Sequence, residues 1–392
     1  MYDFQYFTPT KVAFGRNSLE KLEGLIRERG AKKILLHYGG HSAEKSGLLA
    51  IVRSALGGAG AEYCELGGVV PNPRLSLVRK GIELCKEQGV DFILAVGGGS
   101  VIDSAKAIGY GLASGGDVWD FYSGKRKPCA CTPIGVVLTI AAAGSEMSNS
   151  SVITNEEEGL KRPYNSDLAR PVFAVMNPEL TYTLPYYQTA CGCTDILMHT
   201  MERYFTSGGN MKITDAIAEA LIRTVIANAK ILKIHPDNYE ARAEIMWAGS
   251  LSHNGLTGCG NDGGDWAVHG MEHELGATFD VAHGAGLAAV WGSWARYVYK
   301  NCLNRFHLFA VQAMGVRPSG TREEIALKGI VETEEFFRSI DMPTSLSELG
   351  VHPSEEELRL MAKRCAEGGG GVKGSAMKLD EEDIFNIFKA AL

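Results

Sequence analysis

The sequence predicts two domains of different class, a parallel α/β domain followed by an all-helical one. Three observations carry that expectation. Over the first 180 residues, short β-branched and aliphatic runs alternate with helical patterns. After about residue 180 the apolar spacing is helical throughout. A run of glycines joins one of the early strands to the helix behind it. The chain has 392 residues, which fits two domains at ~100–200 residues each. The division falls at 1–180 and 181–392.

The strand runs are Lys33–His37, Asp91–Val96, Pro133–Leu138 and Val172–Met176. Between them, Arg74–Gln88 carries Leu75, Val78, Ile82 and Cys85 at helical spacing. Such alternation implies parallel strands joined by crossover helices. Continuously apolar strands such as Ile93–Val96 suit a sheet covered on both faces. Pro185 then opens a helix that runs through Arg203, with the proline in its first turn. Ile217, Leu221, Ile222, Val225 and Ile226 form one later stripe, and Ile384, Ile387 and Phe388 another. The four-glycine run Gly368–Gly371 reads as a loop before the last helix.

Composition excludes several classes. Hydrophobic residues make up 45% and charged residues 22%, as in a folded globular enzyme rather than a disordered or fibrous chain. The net charge of −7 argues against nucleic acid and anionic membrane surfaces as partners. No run approaches the ~18 apolar residues of a membrane helix. The start Met1-Tyr2-Asp3-Phe4 lacks the basic and apolar segments of a signal peptide. Nine scattered cysteines read as reduced thiols in a cytoplasmic protein.

Gly97-Gly98-Gly99-Ser100 follows a buried strand and opens a helix. Glycines let the backbone approach an anion, and the first N–H groups of the helix bind it. Asp103 sits one turn into that helix, in a position to face the ligand. An earlier loop, Gly39-Gly40-His41-Ser42, also ends a strand. An acid there would read a ribose 2′-OH, but none occurs before Glu44. Small residues, the Ser42 hydroxyl and Lys45 leave room for a 2′-phosphate, which favours NADP(H) over NAD(H).

Asp195 and His199 are four residues apart on the 185–203 helix, so they share a face, with Glu202 on the same side. Five histidines, 199, 253, 269, 273 and 283, fall in under a quarter of the chain. One Asp with three His makes a mixed O/N site suited to Fe²⁺ or Zn²⁺ rather than Ca²⁺ or Mg²⁺. A competing reading starts from His269-Gly270-Met271-Glu272-His273, which matches the H-x-x-E-H signature of some metallopeptidases. That reading leaves the glycine loop, Asp195 and His199 without a purpose.

Together these segments resemble the iron-dependent (group III) alcohol dehydrogenase family. Within it they look most like the NADPH-dependent aldehyde reductase and butanol dehydrogenase branch. The resemblance spans nearly the whole chain, from Thr8-Pro9-Thr10-Lys11-Val12 through the glycine loop and the Asp195/His199 helix to Ala282-His283-Gly284. It implies a dehydroquinate-synthase-like α/β nucleotide-binding domain and a helical metal-binding domain, with the active site in the cleft between. It also implies one divalent metal held by Asp195, His199, His269 and His283, with His273 as the catalytic histidine near the substrate. Gly98, Gly99, Ser100 and Asp103 would hold the pyrophosphate, and Gly39, Gly40 and Ser42 the adenosine 2′ side. Asn72, Thr139 and Lys161 match further cofactor positions. The implied substrate is a small aldehyde or primary alcohol, and the implied assembly a homodimer joined through the N-terminal domain. One departure stands out. Ile140-Ala141-Ala142-Ala143-Gly144-Ser145-Glu146 replaces a segment that the family often writes with a Pro and a Thr. The loss removes rigidity and one hydroxyl near the cofactor.

Overall fold

A computed structural model describes residues 1–208 and 211–392. They form two compact units, one of Phe7–Leu184 and one of Met1–Tyr6 with Pro185–Leu392. The first six residues therefore pack with the helical part, where the Tyr2 amide donates to the Gly260 carbonyl at 3.0 Å.

The α/β unit runs β1 (Lys11–Phe14), α1 (Leu22–Arg29), β2 (Lys33–Tyr38), α2 (Ser42–Lys45), α3 (Leu48–Gly58) and β3 (Glu62–Leu66). It continues with α4 (Leu75–Gln88), β4 (Phe92–Gly97), α5 (Gly99–Ser114), α6 (Trp119–Tyr122) and β5 (Ile134–Leu138). A hairpin of β6 (Ser150–Asn155) and β7 (Leu160–Asn165) precedes β8 (Phe173–Met176). Six strands make one parallel sheet in the order β1-β8-β5-β4-β2-β3. The hairpin is separate and antiparallel. Central β4 and β5 are buried at every residue, as their unbroken aliphatic sequences require. On one face Leu22 and Ile26 of α1 and Leu49, Val52 and Leu56 of α3 pack on Leu36, Leu94, Val137 and Val175. Phe92 and Phe173 stack at 5.8 Å in the same layer.

The strand–helix alternation holds, with two elements beyond the sequence reading. β3 (Glu-Tyr-Cys-Glu-Leu) lies at a sheet edge and is half exposed. The hairpin carries Lys161, Arg162 and Pro163. Neither has the continuous apolar signature that betrays a central strand.

The second unit is helical: α7 (Tyr186–Tyr204), α8 (Lys212–Ile234), α9 (Tyr239–His253), α10 (Ala267–Phe279), α11 (His283–Val298), α12 (Leu303–Gln312), α13 (Arg322–Ser339), α14 (Glu355–Glu367) and α15 (Glu381–Ala390). Pro185 is the residue before the first turn of α7 rather than within it. From Thr189 to Glu202 α7 is buried almost all round except at Cys191, the mark of a central helix. Helices α8, α9 and α11 pack around it. At Gly284 the first turn of α11 meets the α7 backbone so closely that a Cβ would strike the Cys191 carbonyl. Only glycine permits that approach. No helix among the described residues is long and apolar enough to cross a membrane.

Candidate metal centre and nucleotide loop

Helix α7 places Asp195 and His199 one turn apart on one buried face. Helix α10 adds His269 from its first turn. One ligand atom from each of these three residues falls within 4.8 Å of the other two. His199 Nδ1 lies 3.3 Å, and His269 Nε2 3.7 Å, from Asp195 Oδ1. Asp280 takes a left-handed conformation (φ 52°) that ends α10. Three residues later α11 begins at His283. That turn brings His283 Nε2 to 3.6 Å from Asp195 Oδ1, just outside the tight group of three.

Two buried carboxylates stand behind the histidines. His269 Nδ1–H donates to Glu202 Oε2, and Glu202 Oε1 accepts from the amides of Val268 (2.8 Å) and His269 (3.3 Å). His283 Nδ1–H donates to Glu272 Oε2. Each carboxylate fixes its imidazole so that Nε2 points towards Asp195, the arrangement that orients metal-ligating histidines. Among the described residues, none makes a hydrogen bond to the buried atoms Asp195 Oδ1, His199 Nδ1 and His269 Nε2. Three such orphans facing one point would cost several kcal/mol together. A divalent cation removes the penalty, and one carboxylate with imidazoles is a donor set that Fe²⁺ or Zn²⁺ accepts. The residues fit the metal.

Electrostatics agree. Burial, and then the neighbouring rings of His253 and His269, push His199 well below the ordinary histidine range, so it stays neutral and able to ligate. Burial opposes charge on His269 too, but Glu202 and Asp195 together outweigh it and raise its pKa to about 9. Burial and the charge of Glu202 push Asp265 up to about 7. Its carboxylate accepts from the amides of Ala267 (3.1 Å), Ser375 (2.7 Å) and Ala376 (2.8 Å), tying the start of α10 to the chain after α14.

His273 is half-buried, its ring 6.4 Å from that of His269 and 6.0 Å from that of His283. His253 lies closer to the ligands than the sequence indicated, its ring 3.9 Å from His199. The contribution of Glu272 was not legible as such. Its motif suggested a catalytic base, whereas its carboxylate is engaged by His283. The metallopeptidase reading also needs His273 as a ligand, and His273 is outside the tight group.

In the α/β unit, β2, β4 and β5 are parallel neighbours, so the loops after them open at the same carboxyl edge of the sheet, where ligands of such folds bind. Gly39, Gly40 and Ser42 follow β2, Gly98 precedes α5, and Gly99 and Ser100 form its first turn. Thr139 follows β5, its amide donating to the Gly97 carbonyl at 3.0 Å. Asn72 is buried in the loop after β3, with φ 55°. Lys161 is buried on β7. Asp103 lies one turn into α5. Its Oδ1 accepts from Ser145 Oγ (2.6 Å) and its Oδ2 from the Val152 amide (2.9 Å), so both oxygens bind the chain after β5. His37 holds α5 to the sheet, with Nδ1 2.8 Å from the Leu66 carbonyl and Nε2 2.9 Å from Ser104 Oγ. Burial lowers its pKa to about 4, so the ring is neutral.

Comparison with known proteins gives a consistent result. Residues 9–178 match the family described as iron-containing alcohol dehydrogenase, and residues 189–392 match the C-terminal domain of the Fe-containing alcohol dehydrogenase family. The chain is 40% identical to NADH-dependent butanol dehydrogenase A of Clostridium acetobutylicum, over 99% of each chain. It is 35% identical to the NADPH-dependent aldehyde reductase YqhD of Escherichia coli, over 100% of each. Among solved structures, the NADH-dependent butanol dehydrogenase A of Thermotoga maritima superposes with a TM-score of 0.95. It is 38% identical, and the match covers 100% of this chain and 99% of that one.

Proposed function

The chain belongs to the iron-containing alcohol dehydrogenase family, and on that premise we propose that it interconverts short-chain aldehydes and primary alcohols using NAD(P)H. The observation that carries this reading is the trio of orphaned atoms on Asp195, His199 and His269, with Glu202 and Glu272 aiming the histidines. Asp195, His199, His269 and His283 hold one divalent metal, Fe²⁺ or Zn²⁺. When bound, the metal supplies Lewis acidity to the substrate oxygen and the dinucleotide supplies the hydride. Reduction consumes a proton at that oxygen, and half-buried His273 delivers it from solvent. The glycine turn and α5 N-terminus bind the diphosphate, with Thr139, Asn72 and Lys161 as further contacts. Asp103 serves that end indirectly, through the loop that it holds. The enzyme works in the cytoplasm as a homodimer. Strand β1, at the margin of the sheet and half exposed along its length, meets the second copy, and a monomeric mass by light scattering would refute that assembly. The test of function is the change in cofactor absorbance with metal-reconstituted protein and a panel of short aldehydes. No turnover with either cofactor would sink the reading.

NADPH is the preferred cofactor. Relatives of both preferences exist, and the loop after β2 decides between them here. It carries no carboxylate, and the Glu44 carboxylate is occupied by Arg53 at 2.9 and 3.0 Å. Backbone amides and Ser42 bind a 2′-phosphate through charge-assisted bonds, and one bond of ~1.5–3 kcal/mol shifts the preference by roughly tenfold or more. Gly39→Asp is a clean probe. A Cβ at Gly39 comes no closer than 3.5 Å to an atom beyond its chain neighbours, the Val69 carbonyl oxygen, so a side chain starts there without a clash while adding a negative charge. The ratio of kcat/KM for NADPH over NADH should fall by about tenfold or more. A wild-type ratio at or below one, or a ratio unmoved by the substitution, contradicts the assignment.

A further inference from the structure

Lys106 lies in α5, one turn beyond Asp103, and is 0% exposed. Its ammonium donates to the carbonyls of Ser145 (2.8 Å), Ser148 (3.0 Å) and Ser150 (2.7 Å), with the Ser145 and Ser148 hydroxyls at 3.0 and 3.2 Å. An ammonium has three protons, and here three carbonyl oxygens meet it. Asp103, on the same side of the helix, takes Ser145 Oγ and the Val152 amide. Between them the two side chains tie residues 145–152 onto α5.

The chain so tied also forms a wall beside the glycine turn. A Cβ on Gly98 would lie 2.9 Å from Ile140 Cβ, and one on Gly99 would lie 3.0 Å from Ala143 Cβ. The wall has little stiffness of its own. After Ile140 it reads Ala-Ala-Ala-Gly, without proline or a β-branched residue, and Gly144 adopts φ 61°. Residues 141–143 are half-buried, whereas 144–148 are buried around the lysine. Order in the wall therefore comes from the far end of the segment, where Lys106 holds it.

We propose that Lys106 is a positioning residue for the dinucleotide: by holding residues 145–150 against α5, it sets the distance between the Ile140–Ala143 wall and the glycine turn that receives the diphosphate. This rests on the dinucleotide-binding reading above. The side chain is fully enclosed and touches no solvent, so it acts through the loop and not on the cofactor. A loosened wall admits more conformations, and the cofactor must pay the entropy of ordering them on binding.

The test uses metal-loaded, full-length protein and NADPH as probe, with binding read by fluorescence titration. Lys106→Met should raise the NADPH Kd and KM by about tenfold, while kcat at saturating NADPH stays within about twofold. Metal content and aldehyde KM should not change. The double variant Ser145→Ala/Ser148→Ala keeps the lysine and the three carbonyls, and should raise the Kd by about threefold. A NADPH Kd in Lys106→Met within about twofold of wild type overturns the proposal, even if the melting temperature falls. If Lys106→Met fails to fold, the double serine variant decides, and an unchanged Kd overturns the proposal. Wild-type protein that binds neither NADPH nor NADH overturns the functional reading instead.

Discussion

Replacing His269 with alanine should abolish turnover, with kcat/KM for aldehyde reduction falling by at least about 10³, because a transition-state stabilisation of roughly 4 kcal/mol is lost. His269 contributes one of the three atoms in the tight group and is the partner of Glu202. Its removal leaves Asp195 and His199 with one fewer donor and strands a buried carboxylate. Metal content, measured on the purified variant, should drop from one ion per chain towards none. His283→Ala should follow the same course more mildly in affinity, since His283 is the more exposed of the histidines around Asp195, at 28%. Full activity with unchanged metal content in either variant would remove that residue from the ligand set.

The second large effect concerns Glu272. Glu272→Gln should weaken metal binding by about 10–100-fold, the usual cost of changing the group behind a ligating histidine. The amide oxygen still accepts from His283 Nδ1–H, but the negative charge that makes the imidazole a better donor is gone. Activity measured at ambient metal falls accordingly, and excess metal restores most of it. A catalytic base would behave differently: no concentration of metal replaces a lost proton acceptor. Failure of excess metal to restore activity would return Glu272 to the chemistry itself.

What could be read from sequence follows from where each signal resides. Central strands were legible because burial on both faces leaves an unbroken aliphatic run, as in Phe92–Gly97. Edge strand β3 carries two glutamates in five residues, and the β6–β7 hairpin contains charges and Pro163, so neither shows that pattern. Asp195, His199 and Glu202 were visible because one helix spaces them by turns. The partnership of Glu272 with His283 was not, because it depends on the backbone reversal at Asp280 that turns α11 back towards α10. Asp103 marks a different limit. Its place on α5 was clear, but sequence gives no sign of the Ser145 and Val152 groups that arrive from a later segment and occupy its carboxylate.

The proposed ligand atoms come from three separate helices, α7, α10 and α11, and converge only when these have packed. An unfolded chain holds no such site. Any cation that fills it thus binds one side of the folding equilibrium, and its affinity becomes stability of the helical unit. At free ion one hundred times the dissociation constant, the gain is about 2.7 kcal/mol, a sizeable part of the ~5–15 kcal/mol that keeps an ordinary domain folded. The melting temperature of this unit is accordingly not a constant of the sequence. It should rise with free metal, and a cell starved of that ion should lose folded enzyme as well as turnover.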